Sequence, residues 1–119
     1  MSIRHDLPES FGYAFQGLKT AVKNEPNFRF HVIAGIIVVL AGFLFKFSAW
    51  EFAILTLTIG FVLILELINT TLEALVDLVS PEIQKEAKIA KDVSAAAVLI
   101  SAILAVIVGL FLFLPRFFR

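Results

Sequence analysis

Apolar positions along this chain fall into three long runs separated by short polar stretches, preceded by one segment in which the two kinds of position alternate. In that segment Phe11, Ala14, Phe15, Leu18, Ala21 and Val22 recur at helical spacing opposite Gln16, Lys19, Thr20 and Lys23. Residues 11–23 therefore predict an amphipathic helix, too short and too polar to span a bilayer and suited to its interface or to docking on other protein. Residues 1–10 read as a polar arm, with Ser10 the expected helix cap. Asn24-Glu25-Pro26-Asn27 breaks or bends the helix, because a residue before proline is pushed out of helical backbone geometry.

Val32 to Phe45 is unbroken apolar sequence, extended by Phe28, Phe30 and Phe47. With those flanks it reaches the ~20 residues needed to cross ~30 Å of hydrocarbon, so 29–48 predicts a first spanning helix. Gly35 and Gly42 share a face and invite close helix contact. Lys46, Ser48, Trp50 and Glu51 mark an interface and a short turn, after which a second spanning helix over 52–79 returns antiparallel. At 1.5 Å per residue it measures roughly 42 Å, so its far end emerges among the headgroups before Ser80-Pro81 ends it. Residues 82–92 are a polar connector. Val93 to Leu114 is the third run, expected within a helix over 88–114, where Ser101, Ala105 and Gly109 form a small-residue ladder suited to helix packing. Pro115 to Arg119 reads as an interfacial tail.

Composition turns these runs into a class. With 60% hydrophobic and 17% charged residues among 119, the chain is too apolar for a soluble domain of this size. The expectation is an all-α integral membrane protein, one membrane domain over 1–119. The absence of cysteine excludes a disulfide framework, a thiolate metal site and a thiol nucleophile. A net charge of zero leaves nothing to attract nucleic acid. The first ten residues lack the apolar core and cleavage site of a secretory signal. Arg4, Lys19, Lys23, Arg29, Lys85, Lys88 and Lys91 fall on one side of the spans, and Lys46, Arg116 and Arg119 on the other. By the positive-inside rule the N-terminus is cytoplasmic and the C-terminus outside.

The second run carries the chemistry. Glu66, Asn69, Thr70, Glu73 and Asp77 fall within roughly one third of a helix circumference at 100° per residue. The intervening positions are largely apolar, and ionisable groups in such a setting mark function by default. Glu25, before the first span, and Lys91-Asp92, at the start of the third, reach the same boundary. Glu25, Glu73 and Asp77 are hard oxygen donors that suit Mg²⁺, which takes one or two carboxylates with waters and substrate phosphates. Glu66 lies deeper, as a candidate general base. Lys88 and Lys91 can meet phosphate oxygens or merely lipid headgroups. His5 and His31 stand isolated, with interfacial or core roles expected. Neither the P-loop nor the protein-kinase motif set is present. Two classes survive: a metal-dependent interfacial enzyme acting on a lipid, and a proton- or cation-carrying subunit using Glu66. Several acids at one boundary, beside an amide and lysines, favour the enzyme over a carrier, which needs one isolated mid-bilayer carboxylate.

The run Glu66-Leu67-Ile68-Asn69-Thr70-Thr71-Leu72-Glu73-Ala74-Leu75-Val76-Asp77 resembles the signature E-x-x-N-[ST]-x-x-E-x-x-x-D of the prokaryotic diacylglycerol kinase and undecaprenol kinase family. Ala90-Lys91-Asp92-Val93-Ser94-Ala95-Ala96-Ala97, Gly12 to Leu18 and Asn24 to Arg29 resemble its other conserved pieces. The resemblance implies a homotrimer in the bacterial inner membrane that uses ATP and Mg²⁺ to phosphorylate a lipid hydroxyl. By family role Glu66 is the base, and Glu25 and Glu73 hold the metals on the ATP phosphates. Asn69 and Asp77 support that shell, and Lys91 and Asp92 contact the nucleotide. Tyr13 corresponds to a position near the nucleotide, and Glu82 and Gln84 belong to a nucleotide-contacting loop whose residues match the family poorly. Phe28-Arg29-Phe30-His31 and the Phe113-Leu114-Pro115 tail resemble the undecaprenol branch more than the diacylglycerol branch.

Overall fold

The computed structural model describes residues 6–82 and 84–118; Arg4, His5, Ile83 and Arg119 lie outside the described residues. Four helices follow one another: α1 (Leu7–Asn24), α2 (Pro26–Leu44), α3 (Ala49–Val79) and α4 (Lys85–Phe117). Among the described residues there is no strand. The helices α2, α3 and α4 are each long and apolar enough to cross a membrane, so the chain is an all-α, multi-pass membrane protein.

The distribution of side chains is the inverse of a water-soluble core. Large apolar groups such as Ile33, Leu40, Leu57, Val106 and Phe111 stand exposed along the spans, whereas Glu66, Asn69 and Ser101 are buried. Lipid tails are as apolar as leucine, so exposed leucine costs nothing there and the polar groups must turn inward.

Helix α1 starts at Leu7, earlier than expected. Asp6 is its N-terminal flanking residue, and Ser10, expected as the cap, lies inside the first turn, its amide donating to the Asp6 carbonyl at 3.0 Å. Pro8 fits that turn, where no backbone donor is needed. Only Ala21 of α1 is buried.

A single residue, Glu25, separates α1 from α2 and stands in extended geometry at φ −113°, ψ 99°. Helix α2 ends in a Schellman motif. The Phe47 amide donates to the Gly42 carbonyl at 3.0 Å and the Lys46 amide to that of Phe43 at 3.1 Å, with Lys46 left-handed at φ 58°. Ser48 and Glu51 then open α3 with a capping box. The tight turn sends α3 back along α2, and the glycines set the approach. A methyl group on Gly35 would come within 2.9 Å of Ile59, and one on Gly42 within 2.9 Å of Phe52.

Helix α4 packs chiefly on α3. It begins at Lys85, so the polar connector is shorter than expected, and it runs through Pro115 to Phe117. The expected tail is thus mostly helix. Arg116 turns inward: its guanidinium pairs with Glu51, donates to the Phe45 carbonyl at 2.9 Å and lies 5.2 Å from the Phe47 ring centroid. Of the small-residue ladder, Ser101 is 1% exposed. A methyl group on Gly109 would touch nothing within 4 Å. Ala105 and Gly109 instead line an apolar groove with Gly35, Leu55 and Val62.

Candidate active site

On α3 the buried positions are Leu55, Val62, Glu66 and Asn69. Their spacings of seven, four and three keep them on one stripe, the stripe that packs against the rest of the fold. Glu66 and Asn69 therefore continue the helix-packing seam in polar chemistry. Glu66 is 3% exposed. It lies roughly 22 Å along the helix from Glu51 at 1.5 Å per residue. With Glu51 at one edge of ~30 Å of hydrocarbon, Glu66 stands roughly 8 Å inside the other edge.

Three ionisable groups lie near enough for their charges to act on the Glu66 carboxyl: Glu25, His31 and Glu73. Glu73 comes from the same helix two turns on, Glu25 from the α1–α2 junction, and His31 from the second turn of α2. Phe28, 3% exposed and one turn on from Glu25, packs into the fold and keeps that junction in place. His31 is half-buried and lines the apolar groove where it begins beside Val62. It was expected to stand isolated, and its electrostatic neighbour is 35 positions away on another helix, beyond the reach of a local pattern.

Asn69 is 9% exposed and its amide Nδ2 donates to Glu73 Oε1 at 3.1 Å. That bond fixes the Glu73 carboxylate one helical turn beyond. The other end of the amide, Oδ1, is buried without a hydrogen-bond partner among the described residues. A buried acceptor without a donor costs about 1–3 kcal/mol. Thr70, counted with the polar row, spends its hydroxyl on the Glu66 carbonyl at 3.1 Å. It is a helix-backbone group and offers no donor to a ligand.

Farther along, Asp77 and Lys91 form an ion pair at 2.5 Å that ties the end of α3 to the start of α4, their side chains 64% and 39% exposed. Asp92 pairs with Lys88 along α4. Lys91 and Asp92, expected to face a nucleotide, thus hold protein partners here, and Asp77 is bound to α4 rather than to Asn69 and Glu73. Glu73 also lies near enough to act on Lys91, which links the ion pair to the acid cluster. Glu82 and Gln84 are exposed in the α3–α4 loop, the Glu82 carbonyl accepting from the Ser80 hydroxyl at 3.0 Å. Tyr13 is exposed on α1.

Among the described residues no group of three or more His, Cys, Asp or Glu side chains is arranged to hold a metal ion by itself. Magnesium does not require one, since one or two carboxylates and substrate phosphates suffice. Glu25 and Glu73 are carboxylates of that sort, and Asn69, bonded to Glu73 through Nδ2, keeps its Oδ1 without a partner among the described residues.

A family model of prokaryotic diacylglycerol kinase matches residues 12–113, reaching from α1 to the last turns of α4. A diacylglycerol kinase of Synechocystis sp. is 49% identical over 111 residues, 92% of this chain and 63% of that protein. The chain thus spans less than two thirds of that relative's length. An undecaprenol kinase of Bacillus subtilis is 41% identical over 108 residues, 91% of this chain and 88% of that protein. A diacylglycerol kinase of Escherichia coli is 35% identical over 96 residues, 81% of this chain and 79% of that protein. Three spans, a buried glutamate with further acids toward one end, and a match over nearly all the helices converge: the chain belongs to the prokaryotic diacylglycerol kinase family.

Proposed function

We propose that this chain is an integral-membrane lipid kinase that transfers the γ-phosphate of ATP to a lipid hydroxyl, with undecaprenol the favoured acceptor and diacylglycerol the alternative. The observation that carries the reading is Glu66, a carboxyl buried at 3% exposure within electrostatic reach of Glu25 and Glu73. Such a group has one economical use beside a lipid alcohol. It accepts the hydroxyl proton as the alcohol oxygen bonds to the γ-phosphorus and the bond to the β,γ-bridging oxygen breaks, leaving ADP.

Glu25 and Glu73 would hold Mg²⁺, which when bound neutralises charge on the transferring phosphates. Asn69 orients Glu73 through the 3.1 Å bond. Lys91 would meet the nucleotide by exchanging its bond with Asp77, and Asp92 by exchanging Lys88. Tyr13, Glu82 and Gln84 complete the proposed nucleotide contacts. Little covalent work falls to the protein, so catalysis rests on positioning and charge.

The favoured assembly is a homotrimer in the bacterial inner membrane with the N-terminus cytoplasmic. Three spans cannot enclose a nucleotide, and subunits sharing a site can. Undecaprenol is favoured by the Phe30-His31 pair and the apolar tail, and by the 88% coverage of the undecaprenol kinase of Bacillus subtilis. Purified protein in mixed micelles, given Mg²⁺, labelled ATP and either undecaprenol or diacylglycerol, tests the reading. Labelled lipid is expected with undecaprenol in excess. Transfer to neither lipid, or proton flux in vesicles without nucleotide, would refute it.

A further inference from the structure

The α1–α2 junction leaves a problem in backbone chemistry that the sequence solves in an unexpected place. The last carbonyls of a helix have no partners within it. At the end of α1 the Ala21 carbonyl accepts from the Glu25 amide at 2.9 Å. The next carbonyl, Val22, would look to residue 26, but Pro26 has no N–H. The donor comes instead from Arg29, in the first turn of α2. Its Nη1 donates to the Val22 carbonyl at 2.8 Å and to the Lys23 carbonyl at 2.9 Å. Helical side chains lean toward their own N-terminus, so a long side chain at this position is aimed back across the kink. The guanidinium supplies donors at fixed angles that a flexible ammonium cannot match.

The residue enclosed by this bridge is Glu25. It is the only residue between the two helices, extended in backbone, with its N–H bonded to α1 and its carbonyl accepting from the Arg29 amide at 3.2 Å. Arg29 thus ties both sides of Glu25, by its own amide on one side and by its guanidinium on the other.

We propose that Arg29 is a positioning residue that sets the angle between α1 and α2 and so fixes where the Glu25 carboxylate stands relative to the acids of α3. The inference rests on the kinase reading for its consequence in catalysis, but not for the bridge itself. Arg29 touches no reacting atom. It acts through Glu25, and its loss frees the junction to swing the acid out of register with α3.

Two measurements on the full-length protein in lipid nanodiscs test this. Amide hydrogen exchange reads the bridge alone. Arg29→Ala is expected to raise exchange at residues 20–25 by roughly tenfold or more while the α3 and α4 amides stay protected. Unchanged exchange there would overturn the bridge, whatever the activity. Kinetics reads the consequence. Arg29→Ala is expected to lower kcat/KM for Mg·ATP by roughly 10- to 100-fold, as loss of an orienting partner does, with Arg29→Lys recovering part of it. In the Glu25→Asp background, already weakened at that carboxylate, the same substitution is expected to cost much less, a non-additivity that a general loss of stability would not produce. Equal losses in both backgrounds, or a kcat/KM within twofold of the parent, would overturn the positioning role. If the parent protein transfers no phosphate, the kinase reading falls while the exchange result still decides the bridge.

Discussion

Replacing Asn69 with Leu separates the energetics of the site from those of the fold. The side chains are similar in size, so packing at this buried position changes little. Two polar terms change in opposite directions. The bond from Nδ2 to the Glu73 carboxylate is lost, worth about 1.5–3 kcal/mol for a charged acceptor. The buried, unpartnered Oδ1 is also removed, recovering about 1–3 kcal/mol. The sum lies near zero, so the unfolding free energy is expected to change by no more than about 1 kcal/mol. Activity has no such compensation, because Glu73 is no longer held. Loss of an orienting group of this sort costs roughly 10- to 100-fold in activity or metal affinity. The two readouts are reversible unfolding in mixed detergent micelles, followed by circular dichroism, and kcat/KM for Mg·ATP on the same preparations. A drop of more than about 2 kcal/mol in stability with kcat/KM preserved would refute the reasoning. It would mean that Oδ1 has a strong partner in the assembled protein and that Asn69 is a fold residue.

Three further outcomes follow from the packing and the α3–α4 ion pair. Gly42→Ala is expected to destabilise by about 1–2 kcal/mol, overpacking against the Phe52 and Phe47 rings outweighing about 1 kcal/mol of helix propensity. Gly109→Ala, with open space around it, should be neutral or stabilising in the same unfolding assay. Exchanging the charges of the α3–α4 pair, Asp77→Lys with Lys91→Asp, is expected to leave the melting temperature close to that of the parent, since both side chains are more than a third exposed. Calorimetry should nevertheless show weaker Mg·ATP binding, and unchanged binding would remove Lys91 from the nucleotide site.

Which parts of this molecule were readable in advance follows from the range of the interactions involved. The spanning helices are local statements: an apolar run of sufficient length has no other stable form in lipid. The polar stripe on α3 is equally local, because residues 66, 69, 73 and 77 share a face of any helix. Proline was the weaker guide. Pro26 does separate two helices, but Pro115 does not end α4, which closes two residues later at Phe117. Ser10 and Asp6 are both good caps, and Pro8 favours the earlier one. The rest depends on tertiary geometry. His31 comes within reach of the charge on Glu66, and Arg116 meets Glu51 and Phe45, across separations that no spacing rule covers. Arg29 reaches back six and seven residues, a distance that becomes short only once the chain kinks at Glu25.

The central claim concerns the proton on the lipid alcohol, and Glu66→Gln tests it most directly. The substitution keeps the shape and hydrogen-bonding capacity of a side chain 3% exposed while removing its capacity as a base. Phosphate transfer from labelled ATP to undecaprenol at saturating Mg·ATP is the measurement, with nucleotide binding and assembly size recorded on the same sample. The expected result is a loss of roughly 10²- to 10⁴-fold in turnover, with binding and assembly unchanged. Turnover within a fewfold of the parent would contradict the assignment.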